Sequence, residues 1–177
     1  MTQRLLLLDD EVNVLHALVR SLRRAFGDTV RVECLHDPVA ALARVREMGF
    51  DVIISDFRMP GMTGTEFLSV VKEIQPDAIR LMLSASADFT TAMAAINEAE
   101  AFRFITKPWD DDELVAVVRL AFERRALTLV ERRLADEQRL REGLLTVQER
   151  EARMLEALEP GLTQVRWGPD GSVLLEE

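Results

Sequence analysis

Short apolar runs alternate with longer amphipathic segments over the first two thirds of the chain. Most of the short runs are continuously apolar, which is typical of strands buried on both faces. The longer segments place apolar residues at helical spacing, between capping and turn residues. We therefore predict five strands, at residues 5–8, 30–35, 52–55, 79–83 and 102–105. Five helices are predicted to follow them in turn, at residues 12–26, 38–48, 65–74, 88–98 and from 110–113 onward.

This order of elements predicts the fold class. Five strand–helix units in a row favour a five-stranded parallel sheet covered by helices on both faces, a doubly wound α/β fold. Such folds bind ligands beyond the carboxyl ends of their strands. The residues that directly follow each strand are therefore the candidates for a functional site.

Charged and polar side chains follow four of the five predicted strands. Asp9 and Asp10 come after the first, Asp56 after the third, Ser84 after the fourth and Lys107 after the fifth. Clustered carboxylates repel one another unless a cation joins them, and Mg²⁺ prefers such oxygen ligands. The alternative is a solvent-exposed acidic loop with a lysine near it by coincidence. Because suitable side chains follow four separate strands, we favour a functional site.

The lysine itself supports this interpretation. The chain has two lysines, Lys72 and Lys107, against twenty arginines. A compact ammonium at the end of the fifth strand is not interchangeable with the wide planar fork of arginine.

Four short motifs carry these residues in order along the chain: LLLLDDE at 5–11, DFRMPGMTG at 56–64, LSA at 83–85 and FITKP at 104–108. The second fits the pattern Asp-x-x-Met-Pro-x-x-x-Gly in each fixed place. Over residues 3–120 the chain resembles the receiver domains of bacterial two-component response regulators. That resemblance implies a flavodoxin-like receiver fold and a phosphorylation switch.

The resemblance also implies roles for the residues at the site. Asp56 is expected to take a phosphoryl group from a sensor histidine kinase or a phosphotransfer protein. Asp10 would be the chief carboxylate that binds Mg²⁺ (or Mn²⁺) beside Asp56, with help from Asp9 and the backbone carbonyl of Arg58. Such a site needs mainly charge neutralisation and positioning, because phosphoryl transfer asks for little covalent chemistry from the protein.

Further residues are expected to act on the phosphoryl group or respond to it. Lys107 and Ser84 would contact its oxygens, and the side chains of Arg58 and Ser86 would tune its lifetime. Ser84 moving towards the phosphoryl group would leave space for Phe104 to turn inward. The alternative for Phe104 is a plain core phenylalanine.

Residues 121–159 continue the helical pattern beyond the fifth predicted helix. Leu120, Leu127 and Leu134 recur every seven residues, and a second apolar run extends to Leu158, with a three-residue slip between the two near 136–138. The spacing predicts a coiled-coil extension without a break before Pro160, and we expect it to form a homodimer. The alternative is a helix folded back on its own receiver. Residues 160–177 contain a good turn sequence and predict a β-hairpin tail.

Composition limits the partners and the compartment. The net charge is −9, and residues 119–159 balance nine basic side chains against nine acidic ones, so we expect no direct contact with nucleic acid. The single cysteine, Cys34, is expected to be buried on its strand and fits a reducing cytoplasm. The sequence predicts neither a signal peptide nor a membrane span.

Three alternatives to an independent response regulator stay open. One is a hydrolase that forms an aspartyl phosphate with Mg²⁺, although its second acid would fall at Arg58. Another is a scaffold that keeps the receiver fold without being phosphorylated. The third is the receiver part of a larger regulator, whose output domain could be a cyclic-di-GMP enzyme.

Overall fold

A computed structural model of the chain describes residues 2–85 and 100–160. Its five strands form one sheet in the order β2-β1-β3-β4-β5, and all neighbouring strands are parallel. This confirms the predicted five-stranded parallel fold. The strands are β1 (Gln3–Leu8), β2 (Val30–Leu35), β3 (Val52–Asp56), β4 (Ile79–Ala85) and β5 (Arg103–Lys107).

The helices lie close to the predicted segments. The helix predicted at 88–98 and the hairpin predicted after residue 160 lie outside the described residues, so the fifth predicted helix is named α4 here. The helices are α1 (Val12–Phe26), α2 (Pro38–Glu47), α3 (Gly64–Ile74), α4 (Asp111–Arg141) and α5 (Val147–Leu158).

The sheet separates two hydrophobic cores. Leu6 and Leu8 of β1 join the core that contains α2 and α3 residues, while Leu5 and Leu7 join the core that contains α1 and α4 residues. Because helices cover both faces, every position of this run is buried. The continuous apolar pattern of β1 therefore follows from double-sided burial.

Gln75, at the end of α3, holds the chain between α2 and β3. Its side-chain oxygen accepts from the amide of Phe50 at 2.8 Å, and its side-chain nitrogen donates to the carbonyls of Val45 and Met48 at 2.6 and 2.7 Å. Gln75 is buried, so these bonds satisfy backbone groups that water does not reach. The α2–β3 connection is thereby tied to α3.

The helical extension is two helices rather than the single uninterrupted helix that the sequence predicted. The 31-residue α4 ends at Arg141, and Gly143 follows with a φ of 70°, a left-handed conformation that commonly ends helices. Thr146 and Glu149 then form a capping box that starts α5. The interruption falls at 142–146, downstream of the predicted register slip, because these local signals outweigh the continuing apolar spacing.

The second helix returns to the receiver. The amide of Gly49, in the α2–β3 connection, donates to the carbonyl of Leu158 at the end of α5, at 3.0 Å. The guanidinium of Arg153 contacts the carboxylate of Asp136 on α4 at 3.2 Å. Within this chain the extension therefore adopts the folded-back arrangement, and coiled-coil pairing with a second chain stays a prediction.

Cys34 differs from its expectation. It lies on β2 as predicted, but it is exposed, so the expectation that it is buried is wrong. The reason is that β2 is at the edge of the sheet, where the covering helices protect alternate side chains incompletely.

None of the helices within 2–85 and 100–160 combines the length and the apolar character needed to cross a bilayer.

We expect the substitution Gln75→Met to lower the free energy of unfolding by about 2–4 kcal/mol, because it leaves buried backbone groups of the α2–β3 connection without partners. Urea denaturation measures the change. The same substitution at the exposed Gln138 is the control and should cost no more than about 0.5 kcal/mol. Equal losses at the two positions would contradict the role given to Gln75.

Candidate functional site

The parallel sheet brings the candidate residues to one edge. Asp9 directly follows β1, Asp56 ends β3 and Lys107 ends β5. The strand order puts β1 beside β3, while β4 separates β3 from β5, and Lys107 pairs in register with Ala85 of β4. The long lysine side chain can therefore reach back across β4 towards the two aspartates.

Lys107 bridges the two buried carboxylates. Its ammonium nitrogen lies 2.7 Å from Oδ2 of Asp9 and 2.5 Å from Oδ1 of Asp56. Asp9 is fully buried and Asp56 is 6% exposed. Buried charges are tolerated when they are paired and hydrogen-bonded, so this lysine allows both acids to be ionised close together.

Backbone amides occupy the other oxygens of the same carboxylates. The amide of Glu11 donates to Oδ1 of Asp9 at 2.9 Å, and the amide of Arg58 donates to Oδ2 of Asp56 at 2.8 Å. Each aspartate is therefore held in one orientation by an ammonium on one oxygen and an amide on the other. The side chain of Asp56 is therefore held in one rotamer, and its carboxylate keeps a fixed position at the site.

The loop after β3 is fixed by packing and by a glycine. Phe57 and Met59 are buried in the core that contains α2 and α3 residues. The amide of Gly64 donates to the carbonyl of Phe57 at 2.9 Å, and a Cβ on Gly64 would lie only 2.0 Å from the backbone oxygen of Asp56. Only glycine allows this close approach, which explains the fixed glycine of the loop motif.

The electrostatics of the site shift both central groups. Burial raises the pKa of Asp56 above its ordinary value, and the charge of Asp9 adds to this, while Lys107 and the amide of Arg58 oppose it. For Lys107, burial alone would lower the pKa, but hydrogen bonds and charges from Asp56 and Asp9 outweigh it and raise the pKa. The two acids compete for one ammonium, so the pocket keeps an excess of negative charge.

The remaining predicted residues take different positions. Ser84 is buried and its hydroxyl donates to the carbonyl of Ala85 at 3.2 Å. Phe104 is half-buried and packs against the core that contains Met82, its register partner on β4. Asp10 and the side chain of Arg58 are exposed, and Ser86 lies outside the described residues. The roles assigned to these residues stay predictions.

The donor set suits a hard cation. Asp9, Asp10, Asp56 and the carbonyl of Arg58 all offer oxygen atoms, against the single ammonium of Lys107. Within 2–85 and 100–160, no three acidic, histidine or cysteine side chains gather closely enough to hold a metal ion by themselves. Mg²⁺ is ordinarily held by one or two carboxylates, with water and substrate oxygens completing its shell, so the residues present fit it.

A second ionic cluster, which the sequence did not reveal, lies at the opposite edge of the sheet. Buried Arg125 of α4 reaches Asp51 at 3.5 Å and Asp77 at 3.8 Å, and Arg132 of α4 also pairs with Asp77. Asp51 directly precedes β3, and Asp77 precedes β4 by two residues. The seven-residue spacing of the two arginines could have indicated this cluster. In a helix with balanced charges, however, the same spacing is also expected of solvent-exposed polar side chains.

Comparison with known proteins agrees with this geometry. The family model described as the response regulator receiver domain matches residues 5–119. The hydrogenase transcriptional regulatory protein HoxA of Cupriavidus necator is 38% identical over 122 residues, which are 69% of this chain and 24% of that protein. The chain spans about a quarter of the length of the curated relatives it matches.

Solved structures give the same fold. A structure titled adenylate cyclase from Rhodopirellula baltica has a TM-score of 0.69 and 34% identity, covering 76% of this chain and 98% of that one. A response regulator receiver domain protein from Clostridium thermocellum has a TM-score of 0.65 and 26% identity, covering 71% of this chain and 98% of that one.

We expect Asp56→Asn to raise the melting temperature at pH 7, without added metal, by roughly 2–4 °C, the shift that about 1 kcal/mol produces in a chain of this size. A raised pKa means that the folded state holds the proton more tightly than the unfolded chain does. The wild type therefore loses stability as pH rises from the unfolded pKa of about 3.9 through the raised folded value, and the variant does not.

Thermal denaturation of both proteins between pH 4 and pH 7 measures this difference. The gain should be largest at neutral pH and shrink as the pH falls through the raised folded pKa of Asp56 towards its unfolded value. Asp28→Asn, at an exposed position, is the control and should show no such trend. An Asp56→Asn protein less stable than the wild type at pH 7 would contradict the assignment.

Proposed function

Because this chain belongs to the response regulator receiver family, we propose that it accepts a phosphoryl group on Asp56 and signals through the resulting change in protein contacts. The single observation that carries the proposal is the ammonium of Lys107, which lies within 2.7 Å of the buried carboxylates of both Asp9 and Asp56. Accepting a phosphoryl group requires a nucleophilic carboxylate with a cation beside it. The carboxyl edge of this parallel sheet provides both.

The reaction is a displacement at phosphorus. An oxygen of Asp56 attacks the phosphorus of a donor phosphohistidine, the new P–O bond forms, and the P–N bond breaks with its electron pair passing to the donor imidazole. Lys107 is close enough to neutralise charge on the transferred oxygens. The acyl phosphate on Asp56 is later hydrolysed by water, which returns the carboxylate and resets the switch.

Mg²⁺ would supply further charge neutralisation on the phosphoryl oxygens. We infer that Asp10, Asp9, Asp56 and the carbonyl of Arg58 hold it, and Mn²⁺ would fit the same oxygen donors. The burial of Asp9 and Asp56, together with the excess of negative charge in the pocket, supports this assignment.

The response to phosphorylation is proposed to pass through Ser84 and Phe104. The hydroxyl of Ser84 bonds only its neighbour's carbonyl among the described residues, so it can turn towards a new acceptor at Asp56. Phe104 is half-buried beside Met82 and can adjust its packing when Ser84 moves. The side chains of Arg58 and Ser86 would tune the lifetime of the acyl phosphate.

We propose a histidine kinase or a phosphotransfer protein as the phosphoryl donor. The relatives do not identify the output partner of this chain, because it matches only about a quarter of the length of proteins such as HoxA, which is named a transcriptional regulatory protein. Residues 3–120 would form the receiver and 121–159 the output-linked extension. Protein contacts by this extension are the proposed output.

A second copy of the chain is the proposed partner of α4. Leu127 is 56% exposed and lies about 180° around the helix from buried Val118, at roughly 100° per residue. Leu120 and Leu134 share this outer side of α4 because seven residues are nearly two turns. The inner side is already held by the receiver, so the outer leucines are available for a helix of a second chain.

Incubation with acetyl phosphate or phosphoramidate and Mg²⁺ is expected to put one hydroxylamine-sensitive phosphoryl group on each chain. Asp56→Asn should abolish the label, because the nucleophile is removed, and both EDTA and Lys107→Met should reduce it by at least about tenfold, a loss of about 1.4 kcal/mol or more in transition-state stabilisation. Mass spectrometry of hydroxylamine-treated protein locates the modified residue.

Asp28→Asn is the matched control for this experiment and should be labelled like the wild type. Normal labelling of Asp56→Asn would contradict the proposal. Steady hydrolysis of generic phosphate esters would instead support the hydrolase alternative.

Leu127→Glu is expected to weaken dimerisation, because it puts a charge in the middle of the leucine row. Sedimentation equilibrium with and without beryllofluoride, a phosphoryl mimic, measures the dimer dissociation constant, which should rise by at least about tenfold. Val39→Glu on α2, at a position that is 68% exposed, is the control and should have no effect. A wild type that stays monomeric under both conditions would contradict the dimer.

A further inference from the structure

The two helices of the extension are attached to the receiver in different ways. The α4 helix is held firmly, since Arg125 is buried between Asp51 and Asp77 and Arg132 pairs with Asp77. These contacts use the edge of the sheet opposite the Lys107 site. Separating α4 from the receiver would leave buried charges without partners, which is strongly unfavourable.

The attachment of α5 is much lighter. No residue of α5 is buried. Its contacts with the rest of the chain include the ion pair between Arg153 and Asp136 and the hydrogen bond from Gly49 to Leu158. Segments with so little burial open more readily than the core.

Within α5 itself, apolar burial contributes little to this docking, and the nearest buried apolar side chain along the sequence is Leu145 in the connection before it. Val147, Met154 and Leu158 are each at least half exposed. The first two lie seven residues apart and Leu158 follows four residues later, so all three share one side of α5. Arg153 lies well around the helix from this row and faces Asp136. The helix therefore meets the receiver through polar and backbone groups and keeps its apolar row outside.

Gly49 is the position that admits the end of α5. A Cβ built on Gly49 would lie 2.6 Å from the carbonyl oxygen of Ala157 and 2.9 Å from that of Leu158. Both are backbone atoms, which cannot move aside as a flexible side chain would. Its φ lies outside the left-handed range, so the backbone conformation does not require glycine here, and the close approach of α5 does.

The connection at 142–146 can act as a hinge. Gly143 has a φ of 70°, and the capping box of Thr146 and Glu149 satisfies the first amides of α5 from within the helix itself. The start of α5 therefore does not depend on contact with the receiver. A change at the hinge would move α5 as one element while α4 stays in place.

We propose that α5 is a releasable latch, closed at Gly49 in this structure and opened by a pivot at residues 142–146. In the closed state Pro160 lies two residues beyond the helix end that contacts Gly49, so the last described residues lie beside the α2–β3 connection. Opening would move these residues away from the receiver. The latch thus controls where the C-terminal segment starts, and it does not depend on the proposed phosphorylation of Asp56.

Hydrogen exchange of the full chain, read by mass spectrometry, tests the latch. Gly49→Ala should speed exchange in peptides covering 147–158 by at least tenfold, while peptides of the sheet and of 111–135 keep their wild-type rates. Ala43→Val, at an exposed position in the middle of α2, is the matched control and should leave all rates unchanged. Unchanged exchange of 147–158 in Gly49→Ala would overturn the proposal.

A distance measurement gives an independent readout. Spin labels on the native, exposed Cys34 and on Glu159→Cys should report one distance in the otherwise unchanged chain and an added, broader population with Gly49→Ala. A single unchanged distance would overturn the proposal. If Gly49→Ala also loosened the sheet, Arg153→Glu would decide by the same two readouts, because Arg153 lies outside the receiver.

Discussion

The ammonium of Lys107 between the carboxylates of Asp9 and Asp56 is the interaction on which the candidate site depends. Two buried acids this close would repel each other strongly without it, and burial together with the charge of Asp9 still holds the pKa of Asp56 above its ordinary value. The excess of negative charge would attract a divalent cation, and that cation would in turn neutralise phosphoryl oxygens beside it. Structure and proposed chemistry thus share one electrostatic cause.

The two ends of the strands carry different groups of interacting residues. At the carboxyl edge, Asp56 and Ser84 end or nearly end β3 and β4, and these residues carry the proposed switch. At the other edge, Asp51 and Asp77 precede the same two strands and hold α4 through Arg125 and Arg132. The helical extension is consequently packed against the receiver at least as far as Arg132. Beyond it, α5 is attached more lightly.

This division changes how the extension can act. A helix tied to the receiver along one side presents only its outer side to other molecules, and in α4 that side carries the row of Leu120, Leu127 and Leu134. The later helix α5 also keeps its apolar row outside while polar groups hold it in place. The proposed dimerisation by α4 and the proposed release of α5 are therefore separable, since they would use different surfaces and different contacts.

The sequence by itself determined the sheet and the side chains that meet at the candidate site. Double-sided burial leaves continuous apolar runs such as residues 5–8, and parallel strands bring Asp9, Asp56 and Lys107 to one edge whatever the details of packing. Only the tertiary structure decided that α4 lies against Asp51 and Asp77 and that the end of α5 meets Gly49. The physical reason is that these outcomes depend on ion pairs and backbone approaches between residues far apart in the chain, and spacing along the sequence does not specify which partner a residue meets.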